Sequence, residues 1–316
     1  MASELIGRYG DYLMQTAPLR PQPPGRPPRR SHRREWLIAL VIVAVVIGGA
    51  GYAGITALRH ALTSPPSYTA GCQVGTGYNA VQLTVGQAQI AATIAAVAAQ
   101  MDLPTEALTI AYATAMQESD LANLSYGTAD SVGVFQQRPS QGWGTVAELE
   151  NPVYATTAFF KALVKVPNYT TLTIAVAAQD VQRSADGSAY NNYASQAAVM
   201  SPGFSTGHGL TCWNGTGEAA VKLDLHGAAE GLDTDFGVPG TSSSALDSIT
   251  RIDSGKADSI VTTGNAGWTA ANWLVANAAV YGITRVSYDG YTWTQGVGST
   301  SWRRSSTSSA ASIVAS

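Results

Sequence analysis

The stretch "AMQESDLANLSYGTADSVGVFQQRP" (residues 115–139) ends an apolar segment on one acidic side chain, crosses a polar turn and returns to Gly133, Val134, Phe135 and Gln136. An amphipathic helix normally spends its carboxylates on the solvent face. Glu118, however, follows Leu108, Tyr112, Ala115 and Met116, a stripe at helical spacing that should face a core. Pro104 suits a first helical turn and Glu106 suits the positive end of the helix dipole, so the spacing predicts a helix that runs to about Ser119. Glu118 then sits in its last turn. Apolar surroundings and the partial negative charge of the helix C-terminus both disfavour the carboxylate, which is what a proton donor working near neutral pH requires. The segment "VGVFQQRP" is too short and too β-rich for a helix and reads as an extended or hairpin piece.

Working outward, Thr84 and Gln87 form a capping-box pair ahead of Ile90, Ile94, Val97 and Met101 on one stripe. Asn151 and Pro152 open another helix with Val153, Thr157, Phe160 and Val164 inward. Two more are expected over about 172–183 and 188–200, the last carrying Tyr190 and Tyr193. Residues 84–210 thus predict a mainly α domain with a small β excursion directly after the acidic residue. Residues 59–83 read as a Pro/Gly/Ser/Thr stalk, and 211–256, rich in Gly, Ser, Thr and Asp, as a linker. Residues 257–304 predict a small α+β module: a helix over 267–282 ended by Gly282, then two alternating runs around Asp289 and Gly290, a hairpin signal. The Ser/Ala-rich tail, 305–316, reads as disordered.

Only 12% of the 316 residues are charged. Residues 36–58, "WLIALVIVAVVIGGAGYAGITAL", carry no charge and are long enough to cross about 30 Å of hydrocarbon. They predict one transmembrane helix. Arg26, Arg29, Arg30, Arg33 and Arg34 precede it and only Arg59 follows closely, which places the N-terminus in the cytoplasm and the rest outside a cell membrane. A cleaved signal peptide would have a shorter apolar region nearer the start. Residues 1–35, with "PLRPQPPGRPPRR", read as a disordered, basic, polyproline-like tail with affinity for anionic lipid. No aromatic residue interleaves with those arginines, so nucleic acid is not an expected partner. Cys72 and Cys212 both fall on the exported side and bracket the region holding Glu118. One disulfide between them would stabilise that region by roughly 4 to 5 kcal/mol on the loop-entropy account. No metal-ligand spacing occurs, and no metal or cofactor is expected.

Glu118-Ser119, then "GVFQ", then a late helix bearing Tyr190 resemble the lysozyme-like domain of soluble lytic transglycosylases and goose-type lysozymes, over about residues 81–200. The family pattern is a helix ending in Glu-Ser, a "GLMQ"-like segment and a later "AYNAG"-like segment. "FQQRPSQGWGT" and "AAQDVQRS" are similar to secreted actinobacterial members, which makes the expected type a membrane-anchored one. The third element lacks the Asn-Ala-Gly run, and Gln179, Gln182 and Tyr190 are the candidates for its work.

The resemblance implies a peptidoglycan-cleaving enzyme acting on the β-1,4 bond between N-acetylmuramic acid and N-acetylglucosamine. Glu118 would protonate the bridging oxygen and then take the proton of the sugar's own C6 hydroxyl, leaving a 1,6-anhydro end. Ser119, Gln136, Phe135, Trp143 and Tyr190 are the candidate substrate-binding residues. A water-using lysozyme would need a second carboxylate, for which Asp130 is the candidate, with Asp120 behind it. Serine and cysteine hydrolases are poorly supported, since no Gly-x-Ser-x-Gly elbow occurs and the cysteines look structural. The rival of another class is a non-catalytic wall-binding or scaffolding protein whose C-terminal module contacts a partner.

Overall fold

A computed structural model describes residues 53–54, 67–183, 187–237, 250–253, 258–261, 266–298, 300–306 and 313–316. The chain divides into two units, Met1–Pro66 and Ser67–Ser316, and the second holds nearly all the described residues.

In that second unit β1 (Gly71–Val74) pairs antiparallel with β2 (Val81–Leu83) and β3 (Leu210–Trp213), in the order β2-β1-β3. Cys72 lies opposite Cys212 in this register, and the two form a disulfide. The helices follow: α1 (Val85–Gln100), α2 (Thr105–Ser119), the one-turn α3 (Val146–Leu149), α4 (Pro152–Leu163), α5 (Ile174–Gln182) and α6 (Ala194–Ser205). Thr84 closes the expected capping box with Gln87, and Asn151 caps α4 through its side chain. After β3 come α7 (Leu225–Phe236), the hairpin β4 (Thr250–Asp253) with β5 (Asp258–Val261), α8 (Gly267–Ala276) and α9 (Ala278–Tyr281). A last antiparallel sheet, ordered β8-β7-β6-β9, contains β6 (Arg285–Tyr288), β7 (Tyr291–Thr294), β8 (Arg303–Arg304) and β9 (Val314–Ala315). Asp289 and Gly290 take the positive φ values that a two-residue hairpin turn needs.

The architecture corrects the expected fold class. The unit is mixed α/β: one sheet joins residues 71–83 to 210–213 and the remaining strands come from residue 250 onward, in place of a single small β excursion directly after Glu118. The reason is visible in α1. Ala88, Ala91, Ala92, Ile94, Ala95, Ala96, Val97 and Ala98 are all buried, so this helix keeps only a narrow, partly exposed face and needs cover on more than one side. On one side it meets α2, α4 and α6, and on the other α7 and α8 from the C-terminal part. One hydrophobic core therefore runs from Cys72 to Ala315.

Three boundaries shift accordingly. The predicted stalk carries β1 and β2, the predicted linker carries part of β3, all of α7 and β4, and the tail expected to be disordered contributes β9, with Ile313 fully buried. The predicted transmembrane helix and the membrane localisation are not supported. Among the described residues no helix is long and apolar enough to cross a membrane, and residues 1–52 and 55–66 lie outside the described residues.

Candidate active site

α2 ends on Asp120 and Leu121, both at left-handed φ, where the Leu121 amide bonds back to the Ala115 carbonyl at 3.2 Å. This closing geometry usually falls to glycine. Here the burial of Leu121 holds it. The Ser119 hydroxyl, itself buried, donates to the Val134 carbonyl at 2.6 Å and bonds the Ala115 carbonyl as well. Ser119 thus fastens the end of α2 to the turn at 133–136 and does not reach a ligand. The turn is closed by one isolated bridge between Val132 and Gln137, in place of the expected strand pair.

Gln136 is likewise spent on the loop. Its amide nitrogen donates to the carbonyls of Tyr126 and Gly133, and its Oε1 accepts from the Ser131 hydroxyl at 3.0 Å. Phe135 is fully buried and stacks on Phe159 with ring centroids 4.4 Å apart, so it offers no face to a sugar. Asp130 accepts from the Arg138 guanidinium at 2.7 Å and from the Ser140 amide at 2.8 Å. These bonds hold its carboxyl far below the usual range. Asp130 is therefore ionised near neutral pH and cannot donate a proton there, and its carboxylate braces the loop.

Glu118 is the exception, being half-buried with its carboxylate held by two side chains from later elements. The Tyr190 hydroxyl donates to its Oε1 at 2.6 Å from a short 3-10 helix, Gly187–Tyr193. Gln182, the last residue of α5, is the second partner. Burial pushes the Glu118 carboxyl above its ordinary value, and the bonds from Tyr190 and Gln182 oppose this by favouring the charged form. Gln182 also donates to the Phe135 carbonyl at 2.7 Å. One amide therefore ties α5, the 133–136 turn and the end of α2 to a common point. Of the three candidates for the work of the third family segment, Gln182 and Tyr190 reach Glu118.

Gln182 further lines an open cleft of about 750 Å³, together with Trp143, Lys165, Val166, Asp180 and Arg183. Trp143 is half-buried there, the one predicted stacking residue with surface to offer. Lys165 was not legible as a site residue, because its only local signal is the approach of a helix end before Pro167. Among the described residues no group of three His, Cys, Asp or Glu side chains could hold a metal ion. The arrangement can donate and recover a proton at one carboxyl, linked through Gln182 to a cleft of ligand size. No known protein-family model matches the chain, and no curated protein matches it in sequence.

Proposed function

We propose that the chain cleaves peptidoglycan glycan strands between N-acetylmuramic acid and N-acetylglucosamine as a lytic transglycosylase, with Glu118 as its one catalytic acid and base. The observation that carries this is a single half-buried carboxyl at the end of an apolar helix, raised by burial, oriented by Tyr190 and bonded to Gln182, which lines a cleft. Glu118 gives its proton to the bridging oxygen as the bond from that oxygen to C1 of the muramyl sugar breaks. The C6 hydroxyl of the same sugar then attacks C1, and its proton returns to Glu118. The carboxyl is restored and a 1,6-anhydro end forms without water. Tyr190 and Gln182 are positioning residues. Both favour the carboxylate that exists between the two proton transfers.

The water-using mechanism is the weaker reading, because its candidate second acid, Asp130, is committed to Arg138 and Ser140. The test is mass spectrometry of purified peptidoglycan after incubation with the protein and with Glu118→Gln. Anhydro ends are expected from the wild type, with a loss of about 10²- to 10⁴-fold in the variant. Reducing ends would establish hydrolysis instead. Intact glycan that nonetheless retains the protein would leave a wall-binding module.

A further inference from the structure

The cleft lined by Gln182, the hydrogen-bond partner of Glu118, contains two cations without a partner among the described residues. Lys165 follows the end of α4 and Arg183 follows α5; both are exposed, and both line the cleft with Trp143 and Gln182. Neither has a side-chain hydrogen bond or ion pair among the described residues. Among the described lining residues the one other charge is Asp180, so these residues together are net positive. The backbone at Arg183 adds a second observation. It closes α5 at φ +53°, with its amide on the Gln179 carbonyl at 2.7 Å, a position that favours glycine or asparagine. A long cation held there at some conformational cost points to a use for its side chain.

We propose that Lys165 and Arg183 form an anion subsite that reads carboxylates on the peptide attached to the muramyl sugar, so that the preferred substrate is peptide-bearing rather than bare glycan. This rests on the peptidoglycan reading above. Trp143 offers an aromatic surface for a sugar ring, and Gln182 joins the cleft to Glu118. The two cations meet the carboxylates of the peptide itself, which are additional to the lactyl carboxylate that a stripped muramyl sugar keeps next to its ring. Arginine suits a planar carboxylate through its fork of donors, while lysine adds a movable point charge. Both work in water-exposed surroundings, so their preference weakens with salt.

The experiment is calorimetric binding of two soluble glycan oligomers of equal sugar length to the full chain carrying Glu118→Gln, which prevents turnover. One oligomer carries its peptides, and the other has been stripped by an amidase and its freed lactyl carboxylates converted to neutral amides. The peptide-bearing oligomer is expected to bind about 10-fold or more tightly, a difference of about 1.4 kcal/mol. That ratio should shrink between 50 and 500 mM salt, and should collapse towards one when Lys165→Gln and Arg183→Gln are added together. Both side chains are exposed, and a thermal melt checks that the fold survives. Equal binding of the two oligomers, or a ratio unmoved by the double substitution, overturns the subsite. The cleavage reading is judged separately. If wild type releases anhydro ends while the ratio stays near one, the subsite alone falls. If the ratio collapses as expected while wild type leaves glycan intact, cleavage alone falls.

Discussion

At Glu118, burial and hydrogen bonding pull in opposite directions, and the balance is open to titration. Burial raises the carboxyl, whereas the Tyr190 and Gln182 bonds lower it. With the folded value above the ordinary 4.5, the stability that Glu118 contributes is present below about pH 4.5 and is lost as pH rises through the folded value. Glu118→Gln should therefore melt no lower than wild type at pH 7, and its advantage should vanish when both are melted at pH 4. Cleavage needs the protonated acid, so activity should fall on the alkaline side of the raised value. Tyr190→Phe removes a donor that favours the charged form, which should move that alkaline limb to higher pH. A rate that drops uniformly, with the limb unmoved, would mean that Tyr190 serves packing alone. Asp130 shows the reverse sign: its contribution is present above about 3.8 and lost only as pH falls towards a much lower folded value. Asp130→Asn should thus keep most of the lytic activity near neutral pH, and its abolition with reducing-end products would replace the single-acid mechanism.

Among the elements, the 133–136 turn bears the most constraint for its length. Gly133 has φ +78°, and a Cβ there would run into the carbonyl oxygen of Leu149 at the end of α3. Gly142 has a similar φ of +80°, yet open space surrounds it. Gly133→Ala should cost about 2 to 4 kcal/mol, from left-handed strain plus a clash with backbone, and Gly142→Ala only about 1 kcal/mol. Urea denaturation of the pair measures the difference, and equal costs would show that α3 yields easily. The same turn marks how far sequence reading reaches. The helix ending in Glu118, the cap at Thr84, the helix begun by Asn151 and the hairpin at Asp289-Gly290 are local patterns, and local patterns were legible. The burial of Phe135, the capture of Asp130 by Arg138 and the spending of Gln136 on its own loop depend on contacts that no spacing reports. Gln182 lay within a named segment, but its hydrogen bonds to Glu118 and to the Phe135 carbonyl need α5 and α2 side by side.

On the scale of the whole unit, the decisive feature is that α1 is covered from both sides, which the single stripe at Ile90, Ile94, Val97 and Met101 did not indicate. The segment "AQIAATIAAVAA" (residues 88–99) carries alanines between those stripe positions and only Gln89 and Thr93 as polar residues, so much of its surface can be buried. The second cover comes from the C-terminal part. Ala270, Ala271, Leu274 and Val275 of α8 are buried, and the Asn272 amide donates to the carbonyls of Phe204 and Gly207 at 3.2 and 2.8 Å. Asp235 of α7 accepts from Thr93 of α1 at 2.6 Å and from the Trp273 indole at 2.7 Å, joining three helices through one largely buried carboxylate. Trp302 donates to the Leu210 carbonyl at 2.7 Å, beside the strand that holds Cys212. The disulfide closes the front of this assembly, and its loss through Cys72→Ser with Cys212→Ser should cost about 2 to 5 kcal/mol in urea denaturation. Truncation asks more. A chain ending at residue 216 keeps Glu118, Tyr190, Gln182 and the disulfide, but strips one side of α1 and uncovers a contiguous apolar face. Such a chain is expected to aggregate or to lose its cooperative thermal transition, and with it the alignment of Glu118. A truncated chain that melts as sharply and as high as residues 67–316 would show that the C-terminal part is an appended module, and the single shared core would have to be given up.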